Sequence, residues 1–181
     1  MSSRPVDWKA LAQELGVLHD GQEGTSVDDY RRALELLVGE EVIRSGVDHY
    51  VAGGQGMDLV AGVLSRIRPR SAMERCYQIF NSNADIETRR SAIDLMRMVA
   101  DRSALAWVPE FLADPDQGVQ NWGIEVVEQL LWTGTIDESE GGPFLREAER
   151  HPSEHVRKVV ERTREMLRKR WDRDREPSES T

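Results

Sequence analysis

The chain has 181 residues, of which 39% are hydrophobic and 31% charged, with a formal net charge of −9. That size and apolar content support one hydrophobic core with a small N-terminal attachment. The acidic balance excludes a general nucleic-acid binder, which neutralises phosphates with Lys and Arg; it suits a basic partner, although acidity also serves solubility alone. The acidity belongs to the body: residues 1–149 carry 14 basic against 26 acidic side chains, whereas residues 150–181 carry 10 against 7.

Cys76 is the only cysteine, so neither an internal disulfide nor a four-thiolate metal site is available. The opening MSSRPVDWKALAQ has no apolar run followed by a cleavage signature, and no stretch reaches bilayer length. The expected location is the cytoplasm, without membrane contact.

In chain order, the apolar spacing is helical throughout. Trp8, Leu11 and Leu15 form a first stripe. Ser26 and Asp29 read as a capping pair ahead of Tyr30, Leu34 and Leu37. Ile43, Val47 and Tyr50 follow, then the break GGQG (53–56), then Val60, Val63, Leu64 and Ile67. Met73, Cys76, Tyr77 and Phe80 give another stripe. Pro69, Asp114-Pro115, Gly141-Gly142-Pro143 and His151-Pro152 punctuate the rest.

The second half repeats itself. Residues 84–100 align with 115–131 at an offset of 31, placing Asp85 on Asp116, Ala92 on Gly123, Ile93 on Ile124, Asp94 on Glu125 and Leu95 on Val126. The segments before them align at an offset of 32, with Met73 on Leu105, Ile79 on Phe111 and Phe80 on Leu112. A third copy from Pro152 matches at an offset of 37, with Val156 on Val119 and Leu167 on Leu130. A helix pair recurring at this spacing marks a helical solenoid.

Asp114-Pro115-Asp116, with Val119 and small or apolar residues on the second helix, resembles a degenerate HEAT-type repeat. The resemblance covers roughly residues 71–170 and extends more weakly over 27–67. Many such repeats carry an arginine after the valine; Gln120 stands there in one copy, and Arg157 restores it in the next. The resemblance implies an all-α fold, a right-handed α-solenoid of about three to four helix pairs with N-terminal helices. The expected domains are 1–25 (N-terminal helix and linker), 26–171 (solenoid) and 172–181 (disordered tail).

A helical projection from Val119 groups it with Trp122, Gly123, Val126, Val127 and Leu130; Ile124 and Leu131 widen the apolar arc to about 200°. So wide an arc suits a helix gripped by its pair-mate and by the next repeat, with Trp122 in the core. In the third copy Glu161, Arg164 and Arg168 occupy the side where another repeat would dock, as on a polar end cap.

The opposite faces line up as Arg90, Asp94 and Arg97; Asn121, Glu125, Glu128 and Trp132; and Lys158, Arg162 and Glu165. In HEAT-like stacks the second helices line the concave side, so all of these except Glu165 are taken as partner-binding. Two readings stand: a solvated charged face, or a binding surface on which an aromatic among charges serves as an anchor. Trp132 itself either faces solvent or folds back at Thr133-Gly134 onto the following helix.

Catalytic and metal chemistry finds little support. His151 and His155 have the i, i+4 spacing of a metal pair, but Pro152 starts the helix between them. GGQG lacks the glycine spacing and preceding strand of a dinucleotide fingerprint and the lysine of a P-loop. Cys76 sits on an apolar stripe, as a buried thiol does. Asp48 and His49 are adjacent and so point apart on a helix. The reading is a protein that is not an enzyme, with no cofactor or metal.

Size, charge and fold together resemble the HEAT-like immunity proteins of bacterial polymorphic toxin systems. That resemblance implies a monomer when free, which blocks a basic effector toxin domain by occupying its active-site mouth. The alternatives are a HEAT-type scaffold or adaptor for an endogenous protein, and a HEAT protein of the DNA-glycosylase kind. The last needs a basic groove, whereas Asp94, Glu125, Glu128 and Glu165 interleave with the cations here.

Overall fold

Short polar caps start most of the helices. A computed structural model describes residues 6–19, 22–23, 25–82 and 84–175, and among them the fold is all-helical. The one exception is a two-residue antiparallel ladder in which Leu18 pairs with Glu23 and His19 with Gln22. The expected tail falls largely outside the described residues. Ten α-helices follow in order: α1 Trp8–Glu14, α2 Val27–Val38, α3 Glu40–Val51, α4 Met57–Ile67, α5 Arg70–Phe80, α6 Ile86–Val99, α7 Val108–Ala113, α8 Gln117–Trp132, α9 Glu138–Ala148 and α10 Glu154–Arg175.

The expected Ser26–Asp29 pair is a full capping box on α2: Ser26 Oγ accepts from Asp29 N at 3.2 Å, and the Asp29 carboxylate accepts from Ser26 N at 2.8 Å. The aligned Asp85 and Asp116 are both N-caps, accepting from Thr88 N and Val119 N at 3.0 Å each. The third copy uses Ser153 at the same position, with Val156 N at 3.5 Å from its Oγ. Helix α5 begins after Pro69 and has no cap of its own. Glu35 of α2 supplies it, accepting from Arg70 N at 3.3 Å, Ser71 N at 3.0 Å and Ser71 Oγ at 2.5 Å.

Helices pack both on their pair-mates and on the next pair. α5 packs on α6, α7 on α8 and α9 on α10; α3 also packs on α5, α4 on α6, α6 on α8, and α8 on α10. α6 and α8 run the same way, because Arg90 and Asp116 meet near their starts and Arg97 and Glu125 meet further along. Tyr77 of α5 stacks on Trp107 with centroids 4.4 Å apart, and Phe80 meets Phe111 edge-on at 4.9 Å. One core runs from Ile43 to Val160; the middle helix α8 buries Val119, Ile124, Val126, Val127, Leu130 and Leu131.

Two local expectations are corrected. The segment aligned with α5 is not one helix: a 3-10 turn spans Arg102–Trp107 before α7 begins at Val108. Pro109 has no N–H to continue a helical ladder from Leu105, so the α-helix has to restart there. Gly141-Gly142-Pro143, taken as punctuation, lies inside α9. Its capping box of Asp137 and Glu140 secures the start, and Pro143 removes only one bond near that end. A Cβ at Gly141 would sit 2.9 Å from both Leu131 methyls, so a larger residue there would force Leu131 to shift.

Candidate functional site

The face formed by α6, α8 and α10 brings the sequence-selected residues together as a lattice of ion pairs. Gly118 lacks a side chain, and a Cβ there would lie 2.4 Å from Arg90 Nε. Arg90 therefore crosses it and clamps Asp116 with two bonds of 2.8 and 2.6 Å, while also reaching Glu87 at 2.6 Å. The Arg90 guanidinium and the Val119 N–H hold the Asp116 carboxyl down at about 2, against a smaller opposing effect of desolvation. Next to it Arg89 pairs with the buried Asp114 and donates to Phe80 O at 3.0 Å.

The position after Val119, and after its counterparts Thr88 and Val156, donates to a backbone carbonyl ahead of its helix in all three copies. Arg89 donates to Phe80 O, Gln120 Nε2 to Asp114 O at 2.7 Å, and Arg157 Nη1 to His151 O at 2.6 Å. Gln120 thus does what the expected arginine would do, tying its helix to the loop before it.

Further along, the Tyr50 hydroxyl donates to Asp94 at 2.9 Å, and Arg97 donates to the same aspartate at 2.6 Å. Burial and the Asp94 charge push the Tyr50 phenol well above its ordinary value. Arg97 Nε lies 3.8 Å from Glu125, whose other oxygen is 3.7 Å from Arg162 and 3.6 Å from His155. Arg162 also forks onto Glu128, one bond measuring 2.6 Å, and this carboxylate raises the Arg162 guanidinium further. Lys158 turns away to Glu154 at 2.8 Å. Arg90, Arg97, Lys158 and Arg162 are thus each matched by a carboxylate.

Trp122, expected in the core, is half-buried. It packs on the core with one side, and the Arg97 guanidinium lies 4.8 Å from its ring centroid. The projection omitted that contact because Arg97 comes from the neighbouring helix. An open groove of about 510 Å³ runs over it, lined by Arg90, Asp94, Asn121, Trp122, Glu125 and His155. Asn121 Oδ1 is shielded from solvent and has no hydrogen-bond partner among the described residues.

Trp132 is 65% exposed. The chain turns at Thr133-Gly134, with Gly134 at φ +65°, yet the indole stays outside, one turn past Glu128. A second, larger recess of about 900 Å³ lies between the start of α9 and the far half of α10. It is lined by the apolar Leu131, Ile136 and Leu167 and by the charged Asp137, Glu138 and Arg168. Its walls come from separate elements that meet only in the folded chain, so no local pattern marks it.

Residues tested for chemistry have other employment. His151 Nε2 bonds Leu112 O at 3.0 Å, and its Nδ1 accepts from Ser153 N at 3.1 Å, so both ring nitrogens hold the loop before α10. Cys76 is fully buried and burial pushes its thiol up, away from the nucleophilic thiolate. His49 bonds Gln55 O at 2.8 Å across the GGQG turn, while Asp48 pairs with Arg75. No described helix is long and apolar enough to cross a membrane.

No protein-family model, curated protein or solved structure matches this chain.

Proposed function

We propose that this protein is a non-catalytic binding module, an immunity protein that neutralises a basic toxin domain in the cytoplasm by covering its active-site mouth. The fold in this reading is a HEAT-like α-solenoid whose second helices α4, α6, α8 and α10 form one row. Its binding face comprises Arg90, Asp94, Arg97, Asn121, Glu125, Glu128, Trp132, Lys158 and Arg162. The supporting observation is Trp132, an indole 65% exposed at the end of a face carrying Glu125 and Glu128. An exposed tryptophan among charges is the composition of an interface anchor, and the net charge of −9 favours fast encounter with a cationic partner.

The test is capture from lysate of the source cell by wild type and Trp132→Ala, followed by enzymatic assay of what is captured. The reading expects one basic protein whose activity stops at equimolar wild type and survives Trp132→Ala. A captured protein that remains fully active at saturation supports a scaffold or adaptor instead. That alternative draws on the mutual pairing of the face's charges, which leaves few free to oppose a strongly basic cleft.

A further inference from the structure

The N-terminal end of the helix stack differs from the C-terminal end. On α10 Glu161 and Arg168 are exposed charges and Arg164 pairs with Glu149 of α9, so this end needs no further cover. On α2 the apolar residues Val27, Tyr30, Leu34, Leu37 and Val38 are all exposed, and α2 buries no side chain fully. These five occupy an arc of about 100° on one side of the helix, while Leu36, also exposed, lies on the opposite side. Glu35, on a different side, is the residue that reaches the body at α5. Val42 of α3 and Leu59 and Val63 of α4 add to the exposed apolar surface, and these eight side chains are between 37% and 73% exposed. α2, α3 and α4 pack on one another, so their exposed side chains belong to one end of the molecule.

We infer that this end is a self-association surface, and that its occupant is a second copy of the chain related by a two-fold axis. Three observations favour that occupant. Together the eight exposed residues offer apolar surface on the order of several hundred Å², more than singly scattered residues leave on a monomer and a large part of the ~800 Å² per partner of a standard interface. The far end of the stack is charged, so head-to-tail stacking would bury ions against this face, whereas face-to-face pairing buries apolar on apolar. Finally, the α2 stripe is close to symmetric about Leu34, with Tyr30 one turn before it, Leu37 and Val38 one turn after, and Val27 further out. Two such helices crossing antiparallel at Leu34 set Tyr30 of each copy against Leu37 of the other. A dimer replaces the monomer expected from sequence, and each copy keeps its α6–α8–α10 face clear.

The test is the mass of the full chain by light scattering across a concentration series, for wild type, Leu34→Ser/Leu37→Ser and Trp132→Ala. Wild type is expected to approach twice 20.6 kDa at high concentration. The double variant is expected to weaken association at least about tenfold while keeping its helical circular dichroism, since both leucines are exposed in the single chain. Trp132→Ala should dimerise like wild type. Wild type that stays at 20.6 kDa at hundreds of micromolar overturns the inference, and so does a double variant that dimerises unchanged. The outcome is independent of toxin binding, which the lysate capture reads separately.

Discussion

Replacing Gly123 with alanine adds one methyl group where α8 crosses α7. The new Cβ would lie 2.5 Å from Phe111 Cβ and 3.6 Å from the Phe111 carbonyl carbon. Neither atom is the free end of a flexible chain, and Phe111 is fully buried, so the helices themselves have to separate. Overpacking of this kind costs about 1–3 kcal/mol, against a gain of about 1 kcal/mol from replacing glycine inside a helix. A 2.5 Å approach to a buried Cβ places the cost at the upper end, about 2–3 kcal/mol, so the net expectation is a loss of about 1–2 kcal/mol. Gly62 of α4 is the counterpart, because a Cβ there meets nothing within 4 Å. Gly62→Ala should therefore stabilise by about 0.5–1 kcal/mol. Urea titration followed by far-ultraviolet circular dichroism reads both, and the two midpoints should move in opposite directions. A Gly123→Ala protein as stable as wild type would mean that α7 and α8 do not meet here, and the pairing of these helices would have to be redrawn.

Other expectations test the face and its supports. Trp132→Ala should shift stability by less than about 0.5 kcal/mol, whereas Trp122→Ala, half-buried beneath Arg97, should cost about 2–3 kcal/mol; thermal melts separate them, and equal losses would refute the exposure of Trp132. A double-mutant cycle on Glu128 and Arg162 should give a coupling of about 0.5–1 kcal/mol that shrinks in high salt, since the pair joins α8 to α10 at a partly exposed position. Reversing Glu125 and Glu128 together should loosen α10 as well as binding, which makes Trp132 the cleaner probe. Asp116 has its pKa depressed in the folded chain, so its stabilising contribution is present above the unfolded carboxyl value and lost as pH falls from about 4 towards 2. Asp116→Asn should accordingly cost about 1 kcal/mol near neutral pH and almost nothing near pH 2 by denaturant titration.

What the sequence disclosed was local or periodic. The N-caps at Asp85 and Asp116 fall on each other in the repeat alignment because each supplies an acceptor for the first free N–H groups of its helix. The small residues Ala92 and Gly123 aligned because both are fully packed against neighbours, Ala92 with no exposed surface and Gly123 against Phe111. What escaped was set by contacts between elements. The helical period that marks the core in α8 marks an outward stripe in α2, and periodicity alone carries no sign of which side is covered. The capping of α5 by Glu35 spans 35 residues, and the cover that Arg97 gives Trp122 comes from another helix. Pro109 is a local signal for the break before α7 that the alignment with α5 does not carry.

The lattice of charges also limits how this chain could have grown. On the polar face α8 presents Glu125 and Glu128, and it is held on one side by Arg97 of α6 and on the other by Arg162 of α10. A tandem duplication of the α7–α8 unit would set two such acidic helices side by side, glutamates facing glutamates with no arginine between. Arrays of interchangeable units lengthen by copying; here the charges of α8 match those of α6 and α10, and a copied α8 would meet a like-charged neighbour instead.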